Sequence, residues 1–141
     1  MKIICPSRSK PRASLAAVAA EQNLGGLTAL AHAEFSNHDF AAARDHALQL
    51  AELRPQKSEP YAILGDACLE LGEYERAIES FRKMEQFGQE DAGTATRLAR
   101  LEILRGDPER SRQHLATALS LLRALQAPPR ATIAWCQWQL G

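Results

Sequence analysis

Apolar and small residues recur along this chain at helical spacing, and the pattern itself returns every 34 residues. Three windows align without gaps: 24–57, 58–91 and 92–125. Leu30, Leu64 and Leu98 coincide, each followed by a small residue, Ala31, Gly65 or Ala99. Then come Asn37-His38-Asp39-Phe40, Leu71-Gly72-Glu73-Tyr74 and Arg105-Gly106-Asp107-Pro108, which interrupt the apolar pattern. Past that break Ala43, Ala77 and Ser111 coincide, as do Ala47, Phe81 and Leu115. Each window therefore predicts a helix, a tight turn and a second helix. Helix pairs at this period stack into an array, and arrays usually bind rather than transform.

The residue types give the array a physical basis. A small residue beside a Leu in the first helix lets the second helix approach, with Ala77 as the matching small contact. Phe81 and Tyr74 are expected to fill the wedge between repeats, where each unit covers a face its neighbour cannot bury alone. Gly72 and Gly106 stand where a helix ends and the chain needs a left-handed residue. Asp107-Pro108 suits the start of the next helix, and Pro55 blocks continuation of the first window.

Composition agrees with an all-α chain. The 141 residues suit one domain and include 25 Ala and 19 Leu, against 12 Val, Ile and Thr together, which leaves little material for a sheet. Net charge is zero but banded: seven basic and five acidic groups in 1–57, three and nine in 58–91, seven and three in 92–141. Ordinary solvated helix faces explain this, and so would a partner carrying both signs. No run of five basic residues exists, which argues against nucleic acid. Cys5, Cys68 and Cys136 lack C-x-x-C spacing, so a reducing compartment, the cytoplasm, fits better than a disulfide framework or zinc. Cys68 falls on the packed side of a first helix and is expected to be a buried, inert thiol. No apolar stretch approaches the ~20 residues a membrane span requires. Residues 1–20 admit two readings, a cleaved export signal or a helix packing on the first repeat, and the short Ala-rich apolar run 13–20 favours the helix.

The windows resemble the tetratricopeptide repeat family. Window 58–91 carries the resemblance best, through Tyr61, Leu64, Gly65, Gly72, Tyr74, Ala77 and Phe81, with Gln89 in place of a late Pro. Window 92–125 keeps Leu98, Gly106 and Ala118 but has Ala95 and Ser111 at an aromatic and an Ala position. Window 24–57 keeps Leu30, Phe40, Ala43 and Pro55, with His38 at the turn glycine. The resemblance implies a right-handed superhelical solenoid of antiparallel helix pairs. It divides the chain into an N-terminal segment 1–23, three repeats and a C-terminal helix in 126–141. That last helix either caps the array or begins a fourth repeat, the latter favoured by its few charges and by Leu140-Gly141. Trp135 and Trp138, at i and i+3, are expected to share a face against the third repeat, or to form with Leu140 an apolar end that self-associates.

The resemblance also implies a concave groove lined by first helices. Carried over, its lining is Thr28, His32 and Phe35, then Ala62, Asp66, Leu69 and Glu70, then Thr96, Arg97, Arg100 and Ile103. Members that grip the acidic C-terminus of heat-shock chaperones use a Lys, Asn and Arg clamp. Only Arg97 matches it, because Thr28, His32, Ile63 and Gly93 occupy the other places. The acidic Asp66 and Glu70 beside Arg97 and Arg100 suggest a partner segment of mixed charge whose carboxylate meets the arginines. The competing expectation is that these arginines pair with local acids such as Glu102 or Glu70. Catalytic signatures of the G-x-x-x-x-G-K, H-E-x-x-H and G-x-S-x-G types are absent, and His32, His38, His46 and His114 are not at metal-ligand spacing. No enzyme activity and no cofactor are expected. The leading expectation is a protein–protein interaction scaffold, followed by a small secretion-type chaperone and by a non-catalytic region of a larger enzyme.

Overall fold

The structure, a computed structural model, describes residues 15–89, 91–125 and 129–141. Seven helices follow one another: α1 (Leu15–Ser36), α2 (Phe40–Leu53), α3 (Ser58–Glu70), α4 (Tyr74–Phe87), α5 (Ala92–Leu104), α6 (Pro108–Arg123) and α7 (Arg130–Leu140). Among the described residues there is no strand. Helices pack in sequential pairs, α1 on α2, α3 on α4 and α5 on α6, and each pair leans on the next. First helices also touch one another, α1 to α3 and α3 to α5, whereas second helices do not pack to that extent. The array therefore curves with its first helices inside. Residues 15–23 make no separate helix but extend α1; of residues 1–20, to which the export-signal reading applied, 1–14 lie outside the described part.

Three turns share one backbone solution. The amides of Asp39, Glu73 and Asp107 each donate to the carbonyl five residues earlier, at Glu34, Cys68 and Glu102, over 2.8–2.9 Å. Such a turn needs a left-handed residue, supplied by Gly72 and Gly106 at φ 76° and by His38 at φ 62°. A non-glycine residue there costs about 1–2 kcal/mol. His38 offsets part of this by setting its ring edge-on to Phe40, which in turn meets Phe35. Asp39, Asp91 and Asp107 cap α2, α5 and α6 by accepting from the amides of Ala42, Thr94 and Arg110.

Glu73, in the equivalent place before α4, does not cap. Its carboxylate instead accepts from Arg44 of α2 at 2.5 Å, from Arg76 at 3.2 Å, and from the Cys68 thiol at 3.7 Å. One helix cap has been exchanged for an ionic tie between the first two pairs.

The core follows the repeat. Ala31, Gly65 and Ala99 are buried, as are Ala43, Ala77 and Ser111, and Ala47, Phe81 and Leu115. Phe81 lies directly against Gly65: a Cβ at position 65 would stand 2.4 Å from the Phe81 ring. Tyr61 is buried with its hydroxyl donating to the Pro55 carbonyl, and its ring stacks on Phe87.

Three expectations are corrected. Tyr74 opens α4 on its solvent side and is half exposed, so Phe81 fills the interior without it. Leu30 is 44% exposed where Leu64 and Leu98 are each 7% exposed. α3 and α5 follow α2 and α4, but among the described residues α1 has no preceding helix to cover that side. Of the two expectations for Trp138, a shared face with Trp135 on the third repeat is corrected: it is 76% exposed, because the face of α7 turned to α6 is the stripe Ile133, Cys136 and Leu140.

Two predictions follow from these contacts. Gly65→Ala should lower the unfolding free energy by about 1–3 kcal/mol through overpacking, and by less in a Phe81→Leu background. Urea denaturation of the four proteins tests this, and equal costs in both backgrounds would contradict the contact. For Glu73, hydrogen bonding to Arg44 foremost, with Arg76 adding to it, holds the carboxyl below its ordinary value of 4.5. A group depressed in the folded state stabilises fully above its unfolded pKa and loses that contribution as pH falls through the folded value. Melting temperature should therefore fall more steeply below about pH 5 in the wild type than in Glu73→Gln. Parallel profiles would show that the tie contributes nothing.

Candidate functional site

Helix geometry decides which side chains of α1, α3 and α5 face inward, since residues three or four apart share a face. Asp66 of α3 and Thr96, Arg97 and Arg100 of α5 meet on that side, in a cleft of about 400 Å³. Ala131, Thr132 and Trp135 of α7 close it. A second cleft, of about 560 Å³, lies beside the N-terminal ends of α3 and α5 and includes Ala62 and Arg97, with Leu121 and Leu125 of the α6 end.

The other expected groove residues are dispersed. Thr28 is half-buried, its hydroxyl donating to the Leu24 carbonyl of its own helix. His32 is exposed, 4.0 Å from Glu59. Phe35 closes the first turn against Phe40. Leu69 packs on the core, while Glu70 and Ile103 are exposed near the far ends of α3 and α5 and line neither cleft. Trp135 and Thr132 were not in the expected lining. The only hint of them was an aromatic residue on a helix whose register the 34-residue period does not reach.

Charge in the first cleft is arranged unevenly. Arg97 donates through Nε and Nη2 to the same oxygen, Asp66 Oδ2, at 2.9 and 2.7 Å, and through Nη1 to the Gly93 carbonyl at 3.2 Å. The guanidinium is thus committed within the protein, though to neither of the expected acids: Glu102 pairs with Arg105 at 2.7 Å instead. Asp66 Oδ1 is buried with no hydrogen-bond partner. Arg100 makes no ion pair among the described residues, and its guanidinium carbon lies 5.7 Å from the centre of the Trp135 ring. A planar cation over an indole face is held electrostatically while its edge donors stay available.

Reactive groups are few. Cys68 is fully buried, and burial first, then the neighbouring Glu73 carboxylate, pushes its thiol up to about 11. Burial raises Cys136 in the same direction. Among the described residues no cluster of three or more His, Cys, Asp or Glu could hold a metal ion, and no helix is long and apolar enough to cross a membrane. Alkylation of the native protein at pH 8 should leave Cys68 unmodified while the denatured protein reacts fully, as read by peptide mapping. Rapid native labelling at Cys68 would overturn its assignment as an inert core thiol.

Comparisons with known proteins agree with the architecture. A family model described as tetratricopeptide repeat matches residues 58–84, so the chain carries such a repeat in α3 and α4. Curated protein sequences yield no significant match. Among solved structures, the type III secretion translocator chaperone SycD of Yersinia enterocolitica is similar at TM-score 0.72 and 18% identity, over 84% of this chain and 89% of its own. PcrH, in complex with the chaperone-binding region of PopD, is similar at TM-score 0.72 and 22% identity, over 85% and 90%. A type III secretion complex from Aeromonas hydrophila matches at TM-score 0.72 and 18% identity, over 84% and 79%. The fold is a tetratricopeptide-type helical array.

Proposed function

We propose that this chain is a cytoplasmic, non-catalytic chaperone of the type III secretion kind, which holds an extended segment of an export-bound partner on its concave face. The observation that carries the reading is the near-complete overlap with the translocator chaperones. It spans four-fifths or more of this chain, so the likeness extends over the whole array rather than one repeat. The physical logic is consistent with it. An extended segment lying across the packed first helices α1, α3 and α5 crosses axes about 9 Å apart. Two such steps require ~18 Å, which a chain rising ~3.3 Å per residue covers in about six residues, with a few more needed to reach the α7 side of the cleft. A partner segment held this way is kept from premature association by having its apolar positions covered and its backbone extended.

Co-expression tests the proposal. The product of an adjacent secretion gene should become soluble and co-purify when expressed with this chain. Ala62→Trp, which fills the groove, should abolish that rescue, whereas Glu79→Trp on exposed α4 should not. Rescue lost equally in both variants, or partner solubility independent of this chain, would contradict the reading.

A further inference from the structure

Three features of the cleft between α3, α5 and α7 remain unused by the fold. Asp66 presents one oxygen to two Arg97 donors and leaves its other, Oδ1, without a partner. An unpaired buried carboxylate oxygen costs more than an ordinary unsatisfied polar atom, because the charge has lost its hydration without a replacement. Asp66 lines the cleft as a residue, and Oδ1 is its buried oxygen. Arg100 is the second feature: half-buried, without an ion pair among the described residues, and held against Trp135. Third, Thr132 lines the same space and adds a hydroxyl beside Thr96, whose own hydroxyl donates to the Gly93 carbonyl. A carboxylate with one unpartnered oxygen and a cation without an ion pair among the described residues thus line one cleft.

We infer that this cleft reads a pair of opposite charges in an extended peptide segment, a Lys, Arg or amide side chain donating to Asp66 and an Asp or Glu carboxylate accepting from Arg100. The inference rests on the peptide-binding reading and adds a specificity to it. Arg97 acts as a positioning residue that fixes the Asp66 carboxylate. Arg100 on its indole platform supplies the anion contact, and charge-assisted bonds of this kind are roughly twice as strong as neutral ones. Apolar contacts along the groove would supply affinity, and this pair would set register and exclude segments with like charges in those places.

Selection from a phage-displayed library of random peptides about ten residues long, a length that spans the groove, tests the inference on the full chain. Wild type should enrich sequences in which a basic or amide residue and an acidic residue stand at fixed spacing. Arg100→Glu should lose the acidic preference, and its affinity for the wild-type consensus peptide should fall about tenfold or more. Arg100→Gln, checked by circular dichroism, should lose the same preference without introducing repulsion, which covers the case that the charge reversal fails to fold. Asp66→Asn should relax the basic position alone. Enriched peptides that compete for the groove but carry no charge preference, or an unchanged consensus in both Arg100 variants, would overturn the inference and leave peptide binding intact. A library yielding nothing would overturn both.

Discussion

The edge of the Phe81 ring occupies the volume that any side chain at position 65 would need. The rest of the array depends on that approach, because it sets how closely α4 lies on α3 and therefore how the central pair meets its neighbours. A buried aromatic on a glycine brings a large apolar surface into contact with backbone, where interiors are close-packed and a single methylene is felt. From this pair the core runs outward in both directions, to Leu50 and Ala47 of α2 and to Leu98 and Leu101 of α5. The outer units repeat the geometry with Ala in place of Gly at positions 31 and 99, and with Ala47 and Leu115 in place of the ring. They are variations on a contact that only the central unit makes at full size.

Stacking explains the shape, and charge explains what the shape offers. Among the described residues two guanidinium–carboxylate ties cross between pairs: Arg44 to Glu73 binds α2 to the turn before α4, and Arg97 to Asp66 binds α5 to α3. The first lies at the turn and replaces a helix cap. The second lies on the concave side and leaves half a carboxylate unspent. That difference separates a tie whose carboxylate is engaged at both oxygens from one that leaves an oxygen unpartnered.

The periodic part of the fold was legible in the sequence because stacking constrains the same few positions in every unit. The starts of α3 and α5 fall on Ser58 and Ala92, and the left-handed turns fall on His38, Gly72 and Gly106. What periodicity hides is the context of each copy. Leu30 obeys the pattern yet is exposed, since pattern reports a face and not what covers it. Trp138 misled for a related reason: the apolar stripe of α7 runs through Cys136, and two aromatics at i and i+3 need not define the buried side. Within the site, the pairing of Asp66 with Arg97 had a readable signal. Opposite charges 31 residues apart lie one turn short of the 34-residue repeat, so they face each other across adjacent first helices. The contribution of Trp135 had no such signal, because α7 starts at Arg130, out of register with the starts of α3 and α5 at Ser58 and Ala92.

The central claim, that the first helices hold a partner segment along their inner side, is tested most directly by site-specific photo-crosslinking in the co-expressed complex. A benzoylphenylalanine placed at Thr96, between Asp66 and Trp135, should crosslink to one short stretch of the partner, while the same group at exposed Arg82 of α4 should give none. Crosslinks that form from Arg82 and fail from Thr96 would place the partner on the outer face and contradict the account.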